Sequence, residues 1–271
     1  FIAYYEGNDN YIGEESNTLV APVGIDHGRA IILGGGTGEE SNQNWKVTKK
    51  LVTKAYLDFK KKGFTDDMIW LLINSDMIDL DEDEKPVVDV NLPTSGAFTN
   101  AIQTQFASVL NVETPLFIYI QGDATSDRRF KVYGTNQFVT GAEIRDALDK
   151  LQGLGNYQGQ DGIESNVILI LEASYSGNFV QDISGPRRVI ITSAGDKPYY
   201  TDSYGEIAFS RYLFTKLRDG DSLKKAFDNA STKLMNTSNN KTYPQLDDNG
   251  DGKADAAVGQ LASTLYLNGV I

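Results

Sequence analysis

The chain has 271 residues, with 25 Lys and Arg against 37 Asp and Glu, for a net charge of -12. That balance repels phosphate backbones and anionic bilayer surfaces, so nucleic acid is not an expected partner. Cysteine is absent and His27 is the single histidine, which excludes disulfides, thiolate or histidine-cluster metal sites and any thiol nucleophile.

The length suits one large domain with peripheral extensions. No apolar run is long enough to span a bilayer and no leader pattern opens at Phe1, so a chain without membrane insertion, cut from a longer precursor, is expected. Phe1 to Gly28 is polar, carries aromatics and has no clear period. It is expected to be an N-terminal arm or linker, 1–28, ahead of a single domain over 29–271.

Arg29 to Leu33 reads as the first strand, turned at its carboxyl end by Gly34-Gly35-Gly36-Thr37-Gly38. A plain turn is expected there rather than a phosphate cradle, because no Gly-Lys-Ser/Thr follows and Glu39 and Glu40 would repel phosphate. From Trp45 onward, Val47, Leu51, Ala55 and Phe59 recur at helical spacing. Lys60, Lys61 and Lys62 then load the last turn before Gly63, as the helix dipole prefers. Met68 to Ile73 is a second strand, and the resulting β-α-β unit implies a parallel pair with a right-handed crossover.

Asp76 to Asp89, with Asp79, Asp81 and Asp83 alternating, reads as a solvated acidic loop that lacks the glycine a calcium turn requires. Thr94 or Ser95 can cap a helix carrying Phe98, Ile102, Phe106 and Val109. Pro115 to Ile120 is the third strand, with Gln121-Gly122-Asp123-Ala124 at its carboxyl end. Phe130 to Val132 and Phe138 to Thr140 form a short hairpin region. Thr140 with Glu143 then makes a capping box for a helix bearing Ile144, Leu148 and Leu151.

Val167 to Leu171 is an unbroken apolar run, too short for a helix and rich in β-branched residues, so it is expected to be a central strand covered on both faces. It delivers Glu172-Ala173-Ser174 to the carboxyl edge of the sheet, where open parallel sheets place their sites. If this strand neighbours the third, Ser174 and Asp123 share one site. Arg188 to Thr192 is a further strand, and helices follow at about 205–217 and 221–234, separated by Asp219-Gly220. The alternation predicts an α/β fold, a three-layer α/β/α sandwich on a mostly parallel sheet of about six strands.

Asp247-Asp248-Asn249-Gly250-Asp251-Gly252-Lys253-Ala254-Asp255 matches the first half of a calcium loop, with oxygens at positions one, three and five and glycine at six. The twelfth position is Val258, which cannot supply a bidentate carboxylate, while Asp255 at the ninth can contribute directly or through water. A structural Ca2+ held by Asp247, Asn249, Asp251 and Asp255 is therefore expected.

Glu172-Ala173-Ser174-Tyr175-Ser176-Gly177 resembles the Glu/Asp-Ala-Cys-x-Ser-Gly motif of legumain-like cysteine peptidases, within the caspase-like clan. The order of parts agrees from about Arg29 to Tyr266. It includes the strand Leu116 to Ile120, the later strand Val189 to Ala194, Ala208-Phe209-Ser210 opening a helix, and Pro244 to Gly252, which resembles a tail of bacterial members. The resemblance implies a caspase-like sheet with the catalytic cysteine at Ser174, the histidine at Asp123 and the following glycine at Ala124. Backbone N–H groups around Gly122, Ala124 and Ser174 would then face an oxyanion. It also implies that Glu172 lines the pocket for the residue before the cut. The arginine the family places after its first strand has no counterpart near Trp45, the substrate-side position here.

With nucleophile and base both replaced, the chain is expected to be an inactive homologue that binds a peptide or protein in the former active-site cleft. Its expected place is outside a bacterial cell or in its envelope. Two rivals stay open: an active peptidase disabled by serine at position 174, and a calcium-stabilised extracellular binding module.

Overall fold

Five apolar runs, each too short for a helix, lie side by side as parallel strands in a computed structural model that describes residues 28–74, 88–134, 136–199, 201–238, 242–254, 258–267 and 269–270. Residues 1–27 of the expected arm 1–28, His27 among them, the acidic alternation at Asp79, Asp81 and Asp83, and Asp255 lie outside the described residues. In chain order the elements are β1 (Arg29–Gly34), α1 (Gln43–Lys61), β2 (Ile69–Ile73), α2 (Ser95–Thr104), β3 (Leu116–Gln121), β4 (Arg129–Tyr133), β5 (Gln137–Thr140) and α3 (Gly141–Gln152). There follow β6 (Val167–Glu172), α4 (Val180–Ile183), β7 (Arg188–Thr192), α5 (Phe209–Arg218), α6 (Leu223–Thr237), β8 (Gln245–Asp247), α7 (Gln260–Thr264), β9 (Leu265–Tyr266) and β10 (Gly269–Val270).

The main sheet runs β2-β1-β3-β6-β7-β8, parallel throughout except for β8, which pairs antiparallel to β7. Every residue of β3 and β6 is buried, because helices cover both faces. One face packs α1, α5 and α6 over Phe117, Tyr119, Ile168 and Ile170. The other packs α2, α3 and α4 over Ile118, Ile120, Leu169 and Leu171. Burying each such side chain stabilises the fold by roughly 1.5–3 kcal/mol, and Phe59 adds edge-to-face contacts with Phe64, Phe117 and Phe214.

The helix boundaries follow local chemistry. Asn42 caps α1 through the Trp45 N–H, and Thr140 and Glu143 form the reciprocal box that starts α3. The helix expected to reach Val109 stops at Thr104. Beyond it the chain tightens into turns in which Leu110 takes the buried position and Val109 is exposed. The helix expected near 205 begins at Phe209, for a reason that belongs to the site. The sixth strand, β8, is three residues long and escapes any periodicity rule.

Candidate functional site

At the carboxyl edge, Gln121 pairs in register with Glu172, so Asp123 and Ser174 stand two residues beyond the same rung. Both line one cleft of about 300 Å³, together with Gly35, Gly36, Thr37, Trp45, Thr48, Gln121, Gly122, Lys131, Tyr199 and Thr201. The adjacency expected from strand order is thus present. Asp123 is exposed, and its carboxylate has no hydrogen bond or ion pair among the described residues. Its backbone carbonyl accepts from the Lys131 N–H at 2.9 Å, which fixes the hairpin β4–β5 against the tip of β3.

Ser174 is half-buried, and its Oγ accepts from the Tyr199 N–H at 3.1 Å. The turn behind it is sharp: Tyr175 lies at φ 57° and leads into a short helical turn over Ser176–Phe179. Ser176 and Gly177 serve that turn. Ser176 Oγ accepts from the Ala194 N–H at 3.0 Å, and a Cβ at Gly177 would come within 2.7 Å of the Gly195 Cα. The Ser-Gly half of the motif therefore locks the tip of β6 to the tip of β7.

The other expected site residues separate by role. Trp45 lines the cleft from α1 although it is 2 % exposed. Gly122 lines it too, but its N–H is committed to the Glu172 carbonyl at 3.2 Å, so it is not a free donor for an oxyanion. Ala124 is buried in the α2–α3 side of the core. The backbone N–H groups of Ala124 and Ser174 bond none of the described residues. The glycine turn after β1 is a packing device: Gly35 and Gly36 donate to the carbonyls of Gln121 and Val132. A Cβ at Gly35 would lie 2.1 Å from the Lys131 carbonyl oxygen.

Glu172 is placed differently from the role the resemblance implies. It is 0 % exposed and is not among the residues that line the cleft. Its Oε2 accepts from the Tyr119 hydroxyl at 2.6 Å, and its Oε1 from the Tyr199 hydroxyl at 2.6 Å and the Ser210 N–H at 2.9 Å. The Phe209 N–H donates in turn to the Tyr199 hydroxyl at 2.7 Å. Glu172 and Tyr199 thus cap the first amides of α5, where the positive end of the helix dipole favours a carboxylate, and so set its start at Phe209. Burial first, and the Glu172 charge second, push both tyrosine hydroxyls well above their usual range, which keeps them protonated as donors.

Tyr199, Lys131 and Gln121 are cleft residues that sequence reasoning passed over. Gln121 had a usable signal, as a polar residue completing a buried strand next to a suspected site. Tyr199 and Lys131 arrive from a loop and a hairpin whose approach only the tertiary fold reveals.

In the calcium-like loop, Asp247 Oδ1 accepts from the N–H groups of Asn249 and Gly250, and Oδ2 from Gly252 and from the Ser184 hydroxyl. Asn249 and Asp251 accept from the Asp251 and Lys253 amides. Among the described residues no three His, Cys, Asp or Glu side chains converge as metal ligands.

No family model matches the chain, and no curated protein does. Among solved structures the fold is similar to the crystal structure of caspase-1 from Spodoptera frugiperda, with a TM-score of 0.50 and 12 % sequence identity. The match covers 82 % of this chain and 86 % of that one. At that identity the likeness establishes the architecture alone: the chain has a caspase-like α/β sandwich with a six-stranded, mostly parallel sheet.

Proposed function

We propose that the chain is a non-catalytic relative of legumain-like cysteine peptidases that binds a peptide or protein segment in the cleft between β3 and β6. The observation that carries this reading is the shared cleft of Ser174 and Asp123 at adjoining strand tips. The scaffold is peptidase-related, and the two positions that would hold the thiolate and the imidazole hold a hydroxyl and a carboxylate. A serine hydroxyl is a weak acid that needs a positioned base. Carboxylates as a class are far weaker bases than imidazole and give little driving force to remove its proton. The sequence contains no cysteine, and its single histidine, His27, is not at either of these two positions.

The test is a gain of function. Asp123→His combined with Ser174→Cys should yield measurable cleavage of a peptide library, because the Ala124 and Ser174 amides are still able to donate to an oxyanion. Ser174→Cys alone should yield little, since the thiol lacks the imidazole that activates it and later protonates the leaving amine. Equal silence of both variants, with folding intact, argues against the site; equal cleavage by both argues against the role given to Asp123.

Calcium at Asp247, Asn249, Asp251 and Asp255 is a proposal of the same kind, supported by the Asp-x-Asn-x-Asp-Gly spacing. An ion there would have to displace backbone amides from the Asp247 carboxylate. The loop also closes on its own hydrogen bonds, so any stabilisation adds to a turn that already forms.

A further inference from the structure

Gln121 closes β3 at the bottom of the cleft, on the same sheet face as Tyr119, and is only 4 % exposed. Its Oε1 is buried and finds no donor among the described residues, and its Nε2 likewise bonds none of them. A buried amide oxygen without a donor destabilises the empty chain, and an apolar side chain of similar length would not. Groups that break a folding rule in this way concentrate where a ligand supplies the missing partner.

We propose that the Gln121 carboxamide is the specificity-determining group of the cleft, hydrogen-bonding an uncharged polar side chain of the bound peptide, a hydroxyl or a carboxamide. The inference rests on the peptide-binding reading above and adds to it which residues the cleft selects. A bound anion would be answered by Nε2 alone and would leave Oε1 without a donor. A cation has no free carboxylate at that depth, because Glu172 is already saturated by Tyr119, Tyr199 and Ser210. The open carboxylate is that of Asp123, which is exposed, so a cation is held there rather than at Gln121. The peptide backbone is also disfavoured, since an extended chain lying across the opening does not reach a side chain that is 4 % exposed, whereas a projecting side chain does. Turning the amide over exchanges Oε1 for Nε2, and a hydroxyl or carboxamide answers either, being both donor and acceptor.

The experiment takes a peptide that the intact protein binds and replaces each position in turn with the near-isosteric pairs Thr/Val and Asn/Leu, measuring affinity by fluorescence anisotropy. At one position the polar member is expected to bind roughly 10- to 100-fold tighter, the range for a paired against an unpaired buried hydrogen bond. Gln121→Leu should erase that preference and raise the melting temperature of the empty protein. Gln121→Met provides the same comparison if the leucine variant does not fold. Opposite signs for binding and stability separate a recognition group from a structural one. A lower melting temperature with the preference intact overturns the proposal, because Gln121 is then satisfied within the fold or by water. Peptide binding with no polar preference anywhere overturns this inference alone. An intact protein that binds no peptide overturns the binding reading, and the inference with it.

Discussion

Tyr199 ties the cleft to the core through three hydrogen bonds. Its backbone N–H holds the Ser174 Oγ, its hydroxyl donates to Glu172, and the same hydroxyl accepts from the Phe209 N–H. Tyr199→Phe removes only the hydroxyl. It leaves a buried carboxylate short of a donor and an amide at the start of α5 without an acceptor, so a stability loss of about 1–3 kcal/mol is expected in chemical denaturation. An unchanged midpoint would mean that water replaces the phenol and that Glu172 is not dependent on it. Asp89 gives a second residue-scale outcome. Asp89 is exposed as a residue, yet desolvation of its carboxyl at the edge of β2 first, and the Asp66 charge after it, push that carboxyl up to about 6 from an ordinary 3.8, although it accepts from the Leu71 N–H at 2.7 Å. The folded state therefore holds this proton more tightly than the unfolded state does. Its contribution is fully present below the ordinary carboxylate range and is lost as pH rises through about 6. Asp89→Asn should raise the melting temperature at pH 7.5 and lose that advantage near pH 4. A gain that is the same at both values would show that charge is not the cause.

At the scale of elements, the strands and capped helices were legible in the sequence because their signals are local. Val167 to Leu171 announces a doubly covered strand by its unbroken apolar run, and the Thr140–Glu143 box announces α3 by two residues three apart. What was not legible depended on tertiary partners. The start of α5 at Phe209 is set by Glu172, 37 positions earlier in the chain. The glycine run after β1 is explained by the approach of Lys131 and Phe130 from a distant hairpin. The motif at 172–177 pointed to the tip of β6, but only the fold separates Ser174, which faces the cleft, from Glu172, Ser176 and Gly177, which hold it in place. The loop from Asp247 remains an element with two demands on the same oxygens. If calcium binds, excess Ca2+ should raise the melting temperature and chelator should lower it by mass action. Identical melting under both conditions, with no heat of binding by calorimetry, would leave the loop as a set of side-chain-capped turns.

At the scale of the whole molecule, a caspase-like sandwich places two strand tips, carrying Asp123 and Ser174, at one cleft. The net charge of -12 disfavours nucleic acid and anionic bilayer surfaces as occupants. Among the described residues no helix is long and apolar enough to cross a membrane. A peptide or protein segment, engaged by one or two side chains, is the proposed occupant of the cleft of about 300 Å³, and the proposal is that the cleft binds it without cutting. The most direct measurement is mass spectrometry of a diverse peptide library incubated with the protein and, in parallel, with Ser174→Ala. The account predicts no cleavage above background and identical spectra from the two proteins; turnover by the intact chain that disappears in Ser174→Ala would contradict it.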